Sequence, residues 1–524
     1  MRKEGATETW QVRKSAVEGE RGLVASQHYF ASEVGAGVLA RGGNAVDAAV
    51  AAGLAISTVE PWMSGLGGAG FMMVYLAAED RVHCIDFGLV AAQGLDPADY
   101  PLRGETAGDL FGWPGVVEDR NLVGYPSIAV PAYVDGIAQA LERFGSLSWA
   151  EALAPAIASA EAGMQVDWYC SLKILSGAAA LSRFEESRKT YLPGGFPPIG
   201  EWAGALPHIR LGKLAKTLRS LAEAGPRDFY EGEIAKALVA DLAAGGSKIT
   251  AADLAGYRAR HQEVEATPYR DARVWAAPGL SAGPTLERAL SLFAAAVTPE
   301  GTAPDAATYK GYAAALQQAY VERLATLGDA DDSRDPGCTT HISVIDGDGN
   351  MVALTQTLLS IFGSKVMLPK TGIMMNNGIM WFDPRPGRPN SVAAGKRPLA
   401  NMCPTIAERG DGFRFALGAS GGRRIMPAVL QLTSFVCDYG MDLERAFHTP
   451  RVDSSGSDLV SIDRGVGAEV LAEMERSFDN TAEVYHSVYP ALFACPNAVG
   501  AMPGPGRQSG CAFVMSPWAQ VAPA

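Results

Sequence analysis

Small apolar residues fill the first part of the chain, and their spacing changes character along it. After a short strand, Ala31–Arg41 repeats at helical intervals and stops at Gly42-Gly43, a pair suited to closing a helix. Asn44 then opens a second helix with Asp47 three residues on, the spacing of a capping box. Both helices carry small side chains, so close packing between them is expected. Gly65-Leu-Gly-Gly-Ala-Gly70 follows a helix and leads into the apolar run Phe71–Tyr75. A dinucleotide loop has the order strand, loop, helix, so a tight backbone turn is the better reading here. From about 130 to 325 helical periodicity dominates, as in Ile234–Leu242 and Tyr312–Leu324, with Pro- and Gly-rich loops at 192–206 and 277–284. No fixed-period repeat is visible.

Past the polar stretch Asp329–Gly337 the texture becomes alternating and β-branched. Thr339–Asp346 and Met351–Leu358 read as the strands of a hairpin, with Asp346-Gly-Asp-Gly-Asn350 as its turn. A hairpin centred on Asp348 sets Thr339 opposite Thr357, within a register slip. An ordinary threonine pair in a sheet has the same spacing. The turn imitates a calcium loop, but Met351 and Thr357 stand where its glycine and glutamate belong, so no calcium is expected. Farther on, Phe413–Leu417 runs into Gly418-Ala-Ser420-Gly-Gly422 and then a helix opening near Arg424, with Pro427 in its first turn. Such a junction turns backbone N–H groups outward and suits an oxyanion hole. It also satisfies G-x-S-x-G, so a serine hydrolase using Ser420 with His448 or His486 is a rival reading.

Composition narrows the partners. The 524 residues are 48% hydrophobic and 19% charged, with 59 glycines and 32 prolines, which excludes a disordered or coiled-coil chain. The net charge of −13, without a block of like charges, argues against nucleic acid and anionic membranes and for small molecules. The apolar stretches 45–57 and 425–437 are too short to span a bilayer, and Met1–Ser26 lacks the apolar run of a secretory signal, so a cytoplasmic protein is expected. Seven scattered cysteines without a C-x-x-C pair, and seven histidines without ligand spacing, predict reduced thiols, no metal and no cofactor. His341 reads as a hairpin side chain. Arg385, Arg388, Lys396 and Arg397 are either solvated loop residues or holders of a substrate carboxylate.

Gly22-Leu-Val-Ala-Ser26, Gly42-Gly-Asn-Ala-Val-Asp-Ala-Ala-Val50, Glu60-Pro61, Gly65-Leu-Gly-Gly68, Thr339-Thr-His-Ile-Ser-Val344, Asn376-Asn377 and Lys396-Arg-Pro-Leu399 occur in this order. Together they resemble the gamma-glutamyltranspeptidase family of N-terminal-nucleophile hydrolases, with Ile234–Tyr257 and Ser281–Asp329 also matching. The resemblance implies an α+β fold, a four-layer αββα sandwich, made as one precursor that cleaves itself between Cys338 and Thr339. Residues 1–338 and 339–524 would then be a large and a small chain of one composite domain, a heterodimer able to pair again as a homodimer. Thr339 would be the nucleophile, with its freed α-amino group as base, Thr357 positioning the hydroxyl, and the amides of Gly421 and Gly422 stabilising the oxyanion.

The departures from the family pattern bear on substrate. The expected glutamate-binding arginine is Gly88, the asparagine two residues past the second threonine is Leu359, and the aspartate for the substrate amino group is Trp381. The serine pair after Lys-Arg-Pro-Leu is Ala400-Asn401, which leaves Asn401 beside Asn377 as polar lining. A glutamyl ammonium and carboxylate set against Leu359 and Trp381 would lose several kcal/mol. The stretch Phe382–Arg388 is similar to the cephalosporin-acylase-like branch, so a non-glutamyl acyl amide is the expected substrate. A gamma-glutamyl hydrolase or transferase, a Ser420 hydrolase and a non-catalytic binding protein are the alternatives. The segment before Cys338 is shorter than the family pattern leads one to expect.

Overall fold

The computed structural model describes residues 10–106, 113–326, 338–456, 458–504 and 506–524. Among these, two seven-stranded sheets lie face to face. The first has the spatial order Gln520–Pro523, Gly22–Ser26, Cys338–Asp346, Met351–Leu359, Ala69–Leu76, Arg81–Phe87 and Arg260–Val264. The second runs Val17–Gly19, Gln508–Ala512, Cys495–Ala501, Arg414–Ser420, Thr405–Glu408, Ala272–Ala276 and Thr267–Tyr269. Helices Tyr29–Ala40 and Ala45–Val59 cover the outside of the first sheet, and Gly283–Ala296 and Ile425–Tyr439 the outside of the second. The architecture is a four-layer αββα sandwich of the α+β class, as the resemblance implied. Strands from before and after position 338 occur in both sheets. The polar stretch Asp329–Gly337 lies outside the described residues.

Local chemistry explains the first layers. The first helix closes in a Schellman arrangement, with Gly42 N bonded to Leu39 O at 2.9 Å and Gly43 N to Val38 O at 3.1 Å. Asn44 accepts from the amides of Val46 and Asp47, while Asp47 accepts from Asn44 N, completing the capping box. Asp47 also accepts from the amides of Ser146 and Leu147, which joins this helix to a later connection. The stretch read as helical is interrupted by Arg260–Val264, Thr267–Tyr269 and Ala272–Ala276, which border the two sheets. Arg260–Val264 is an edge strand exposed at four of its five positions, so no apolar alternation marks it. Among the described residues no helix is long and apolar enough to cross a membrane.

Alternation along the central hairpin separates two environments. Asp346 and Gln356 face the helices: Asp346 Oδ2 accepts from Ala45 N at 3.0 Å, and Gln356 Nε2 donates to Gly53 O at 3.0 Å. Thr339, His341, Ser343, Thr355 and Thr357 face the other sheet, a polar layer between two sheets. Asp346 also accepts from Asp348 N, Asn350 N and Asn350 Nδ2, and is itself 4% exposed. We expect Asp346→Ala to strand these donors and destabilise the protein by about 3–5 kcal/mol. Urea unfolding monitored by far-UV circular dichroism measures the loss, and Asp346→Asn should fall between the two.

Candidate active site

The hairpin keeps the register centred on Asp348 from Ile345↔Met351 to Thr340↔Gln356, and then shifts to Cys338↔Leu359. Between those two pairs Thr339 alone stands opposite Thr357 and Leu358, so the extra residue lies on the Met351–Leu359 strand, facing Thr339. A bulge of this kind re-aims a side chain and ends regular pairing. Thr339 Oγ1 donates to Thr357 Oγ1 at 3.3 Å, and Thr357 Oγ1 accepts from Leu359 N at 2.8 Å. Both threonines are buried, with Thr339 3% exposed. A Cβ at Gly68 would lie 2.3 Å from Thr357 O, so the glycine run serves close backbone approach to this strand.

Three cross-sheet bonds fix how the second sheet lies on this hairpin. Gln508, paired with Ala501, donates to Asp346 O; Ser343 Oγ donates to Asn497 O; and Gln27 donates to Cys495 O. Cys495–Ala501 therefore runs alongside Cys338–Asp346, and its antiparallel neighbour Arg414–Ser420 runs against it. The last residues of that neighbour lie at the Thr339 end, with Gly418 packed on the His341 ring. Gly421 and Gly422 follow with φ of 132° and 61°, a backbone that side-chain-bearing residues rarely adopt, and a short turn over Gly422–Arg424 leads into the helix Ile425–Tyr439.

The strand extends through Ser420, which is fully buried and bonded to Gln27. The expected histidine partners are engaged elsewhere. His448 Nδ1 lies 2.8 Å from Glu444 O and its Nε2 accepts from Lys14 N, while His486 faces Asp463 at 3.7 Å. His341 bridges Thr355 and Ser343 at 2.8 and 2.9 Å. Its burial lowers its pKa to about 3, so it is a neutral structural ring.

Of the remaining predicted site residues, Leu359 and Asn377 belong to or bond the loop that follows Thr357. Leu359 is buried at φ 87°, a strained position for a leucine worth about 1–3 kcal/mol. Asn377 holds that loop: its Oδ1 accepts from Ser360 N, its Nδ2 donates to Ser360 Oγ at 2.7 Å and to Leu122 O, and its own N–H reaches Leu358 O. Trp381 is buried in the turn Gly378–Trp381, and its carbonyl accepts from Asn390 Nδ2 at 2.6 Å. Asn401 is 5% exposed, and its buried Nδ2 has no hydrogen-bond partner among the described residues.

Two of the four cations of the basic cluster face internal carboxylates. Arg385 pairs with the buried Asp383, and Arg397 Nη1 lies 3.0 Å from Asp86 Oδ1. A Cβ at Gly88 would stand 3.4 Å from that same Arg397 nitrogen. Lys396 Nζ reaches Pro389 O in an exposed position. The cysteines outside Cys338 are free, Cys437 and Cys495 half-buried and the others buried. Gln27 and Glu60, both near the hairpin end, carry no local signal in the sequence beyond Glu60 belonging to a family motif.

A sequence model of the family described as Gamma-glutamyltranspeptidase matches residues 31–336 and 330–488. The "Acylase ACY 1 proenzyme" of Pseudomonas sp. (strain SE83) is 34% identical over 485 residues, spanning 85% of each chain. The "Glutathione hydrolase proenzyme" of Bacillus subtilis (strain 168) is 30% identical over 512 residues, covering 87% of this chain and 84% of that one. A crystal structure of a cephalosporin acylase from Bacillus halodurans superimposes over 100% of this chain and 99% of its own with a TM-score of 0.84 at 23% identity, a likeness of fold.

The histidines of the structure make a prediction for acid stability. Burial lowers His28, His341 and His486 to about 3. Unfolded, each takes up a proton near its ordinary pKa of about 6.5, whereas the folded protein resists protonation until about 3. Their contribution to stability is therefore complete above about pH 6.5 and lost as pH falls, by roughly 1.4 kcal/mol per pH unit for each ring. Urea unfolding at a series of pH values from about 6.5 to about 4 should show a slope shallower by one proton in His341→Gln. An unchanged slope would mean that His341 is protonated in the folded protein as well.

Proposed function

The chain belongs to the gamma-glutamyltranspeptidase family, and from that premise we propose a self-processing amide hydrolase that uses Thr339 on a non-glutamyl acyl amide. The observation that carries this reading is the Thr339–Thr357 hydroxyl pair at a bulge of the central hairpin, level with the end of the strand that leads into Gly421-Gly422. In the uncut chain the strand begins at Cys338, so the Thr339 nitrogen is a peptide nitrogen and no base. Attack of Thr339 Oγ1 on the Cys338 carbonyl transfers the acyl group from nitrogen to oxygen. Water then hydrolyses the ester, leaving a carboxylate on Cys338 and a free amine on Thr339.

With an ordinary pKa of about 7.7–8.0, that amine takes the hydroxyl proton as Oγ1 attacks a substrate amide. Gly421 and Gly422 N–H groups stabilise the oxyanion, and Thr357 keeps the hydroxyl aligned. The ammonium returns its proton to the leaving amine, and water releases the acyl group from the ester. The two chains stay together because both contribute strands to both sheets. The buried, apolar Leu359 and Trp381, with Gly88 in place of a cation, support an acyl group without glutamyl charges. The unpartnered Asn401 Nδ2 is the donor we assign to an acyl oxygen. The acylase proenzyme relative points the same way, whereas the glutathione hydrolase relative keeps gamma-glutamyl transfer as the second reading.

Intact mass and N-terminal sequencing should find a long chain ending at Cys338 and a short one starting at Thr339, with a single chain in Thr339→Ala. Turnover should fall by about 10³-fold or more in that variant. A panel of oxamate, glutaryl and aryl-acyl amides, with gamma-glutamyl anilide beside them, tests the acyl class. Fastest turnover of the gamma-glutamyl compound would overturn the non-glutamyl reading.

A further inference from the structure

Thr340 turns to the face of the sheet opposite Thr339, toward the end of the helix Ala45–Val59. There its Oγ1 reaches Glu60 Oε2 across 3.5 Å. Glu60 caps the helix and is 4% exposed, at the end where the helix dipole disfavours negative charge. The segment it begins also grips the other strand: Met63 O accepts from Leu358 N at 2.9 Å and Trp62 O from Phe362 N at 3.0 Å. Tyr169, Cys170 and Lys173 of the helix Trp168–Leu181, and Cys495 of the second sheet, lie within electrostatic reach of Glu60. Lys173 Nζ lies 4.6 Å from the centre of the Tyr169 ring. Burial pushes the tyrosine and both thiols up, so they stay neutral and the charges of the group are Glu60 and Lys173.

We propose that Glu60 is a positioning residue for the candidate nucleophile: its carboxylate, balanced by Lys173, ties Thr340 and so holds the chain end that carries Thr339. The inference rests on the Thr339 reading above. Once the bond to Cys338 is cut, Thr339 is a terminus joined to the sheet through Thr340, and termini fray unless tied down. A displacement of about 1 Å at the reacting group can cost about 10²-fold in rate. Burial raises Glu60 to about 7, opposed by Lys173 and by the Thr340 bond. Protonation there removes the attraction to Lys173 and weakens the hold on Thr340. Turnover then falls on the acid side of about pH 7, in kcat and not in KM. The Thr339 amine, at about 7.7–8.0, contributes a separate proton to the same limb.

The test is the kcat profile of the processed protein, on the amide of the panel it turns over fastest, beside Glu60→Gln and Lys173→Met. Carbon-13 NMR of carboxyl-labelled glutamates in the full chain adds a readout that needs neither substrate nor processing. A glutamate resonance should titrate near pH 7, be absent from Glu60→Gln, and move up by about one unit in Lys173→Met. The acid limb of kcat should lose one proton in Glu60→Gln and move up in Lys173→Met. Should Glu60→Gln fail to fold or process, the lysine variant and the NMR titration still decide. The inference is overturned if no glutamate titrates above about pH 6, or if the Lys173→Met limb does not move. Activity retained in Thr339→Ala sinks the nucleophile reading itself, whereas an inactive Thr339→Ala with an unmoved Lys173→Met limb sinks the Glu60 inference alone.

Discussion

Everything near the candidate site depends on the clamp between the helix Ala45–Val59 and the hairpin Cys338–Leu359. The two meet at three levels. The Asp346 carboxylate accepts from the first helical amide at Ala45, Gln356 donates to Gly53 O midway, and Glu60 receives Thr340 at the far end. A helix rises about 1.5 Å per residue and a strand about 3.4 Å, so one such helix spans most of the hairpin from turn to threonine pair. Helix and hairpin come from opposite sides of position 338. A cut there would leave both halves bonded through the clamp and through two shared sheets, with the apolar core intact.

The clamp accounts for an unusual division of chemistry. The hairpin's helix side buries Ile342, Val344, Val352 and Leu354 against small residues of the helix, where burial alone is favourable. Its other side presents hydroxyls and an imidazole to a second sheet. Such groups are costly to bury unless bonded, and the layer is nearly self-satisfying: His341 links Thr355 and Ser343, Ser343 reaches Asn497 O, and Asn497 donates back to His341 O. At the end of the layer the pattern changes from bridging to aiming, because the bulge opposite Thr339 interrupts the backbone ladder there and, among the described residues, the Thr339 hydroxyl donates to Thr357.

Much of this was legible in the sequence where the cause is local. The Asp-Gly-Asp-Gly-Asn turn specifies the hairpin centre, and the centre specifies which threonines meet. The capping box at Asn44 and the glycine pair at 42–43 mark helix ends, because caps are made by neighbours. What depends on distant packing was not legible. Gln27 meets Ser420, and Arg397 meets Asp86, only because two sheets stack and a loop folds over them. The four cations near 390 read as solvated loop residues or as holders of a substrate carboxylate, yet two of them face internal carboxylates. The exposed edge strand Arg260–Val264 escaped because it buries almost nothing, and apolar periodicity reports only what is buried. The G-x-S-x-G match at Ser420 shows the converse: the strand–turn–helix context is present, while the serine bonds Gln27 and the two histidines named for it are engaged by Glu444, Lys14 and Asp463.

The same logic bears on selectivity. The loop after Thr357 is held by backbone bonds to Asn377 and by a strained Leu359, so its shape is set by the protein and not by a ligand. If Leu359 lines the acyl site as proposed, a polar side chain there could reach a substrate charge from that fixed position, whereas a leucine can only exclude water. Arg397 borders the space beside Gly88 but is committed to Asp86, which cancels its charge for any acyl group approaching from that side. On the proposed reading, an unpaired glutamyl head group meets apolar walls and an already neutralised cation. On the same reading, a planar or apolar acyl group loses no hydrogen bond on entering and is offered the Asn401 amide, a buried donor without a partner among the described residues.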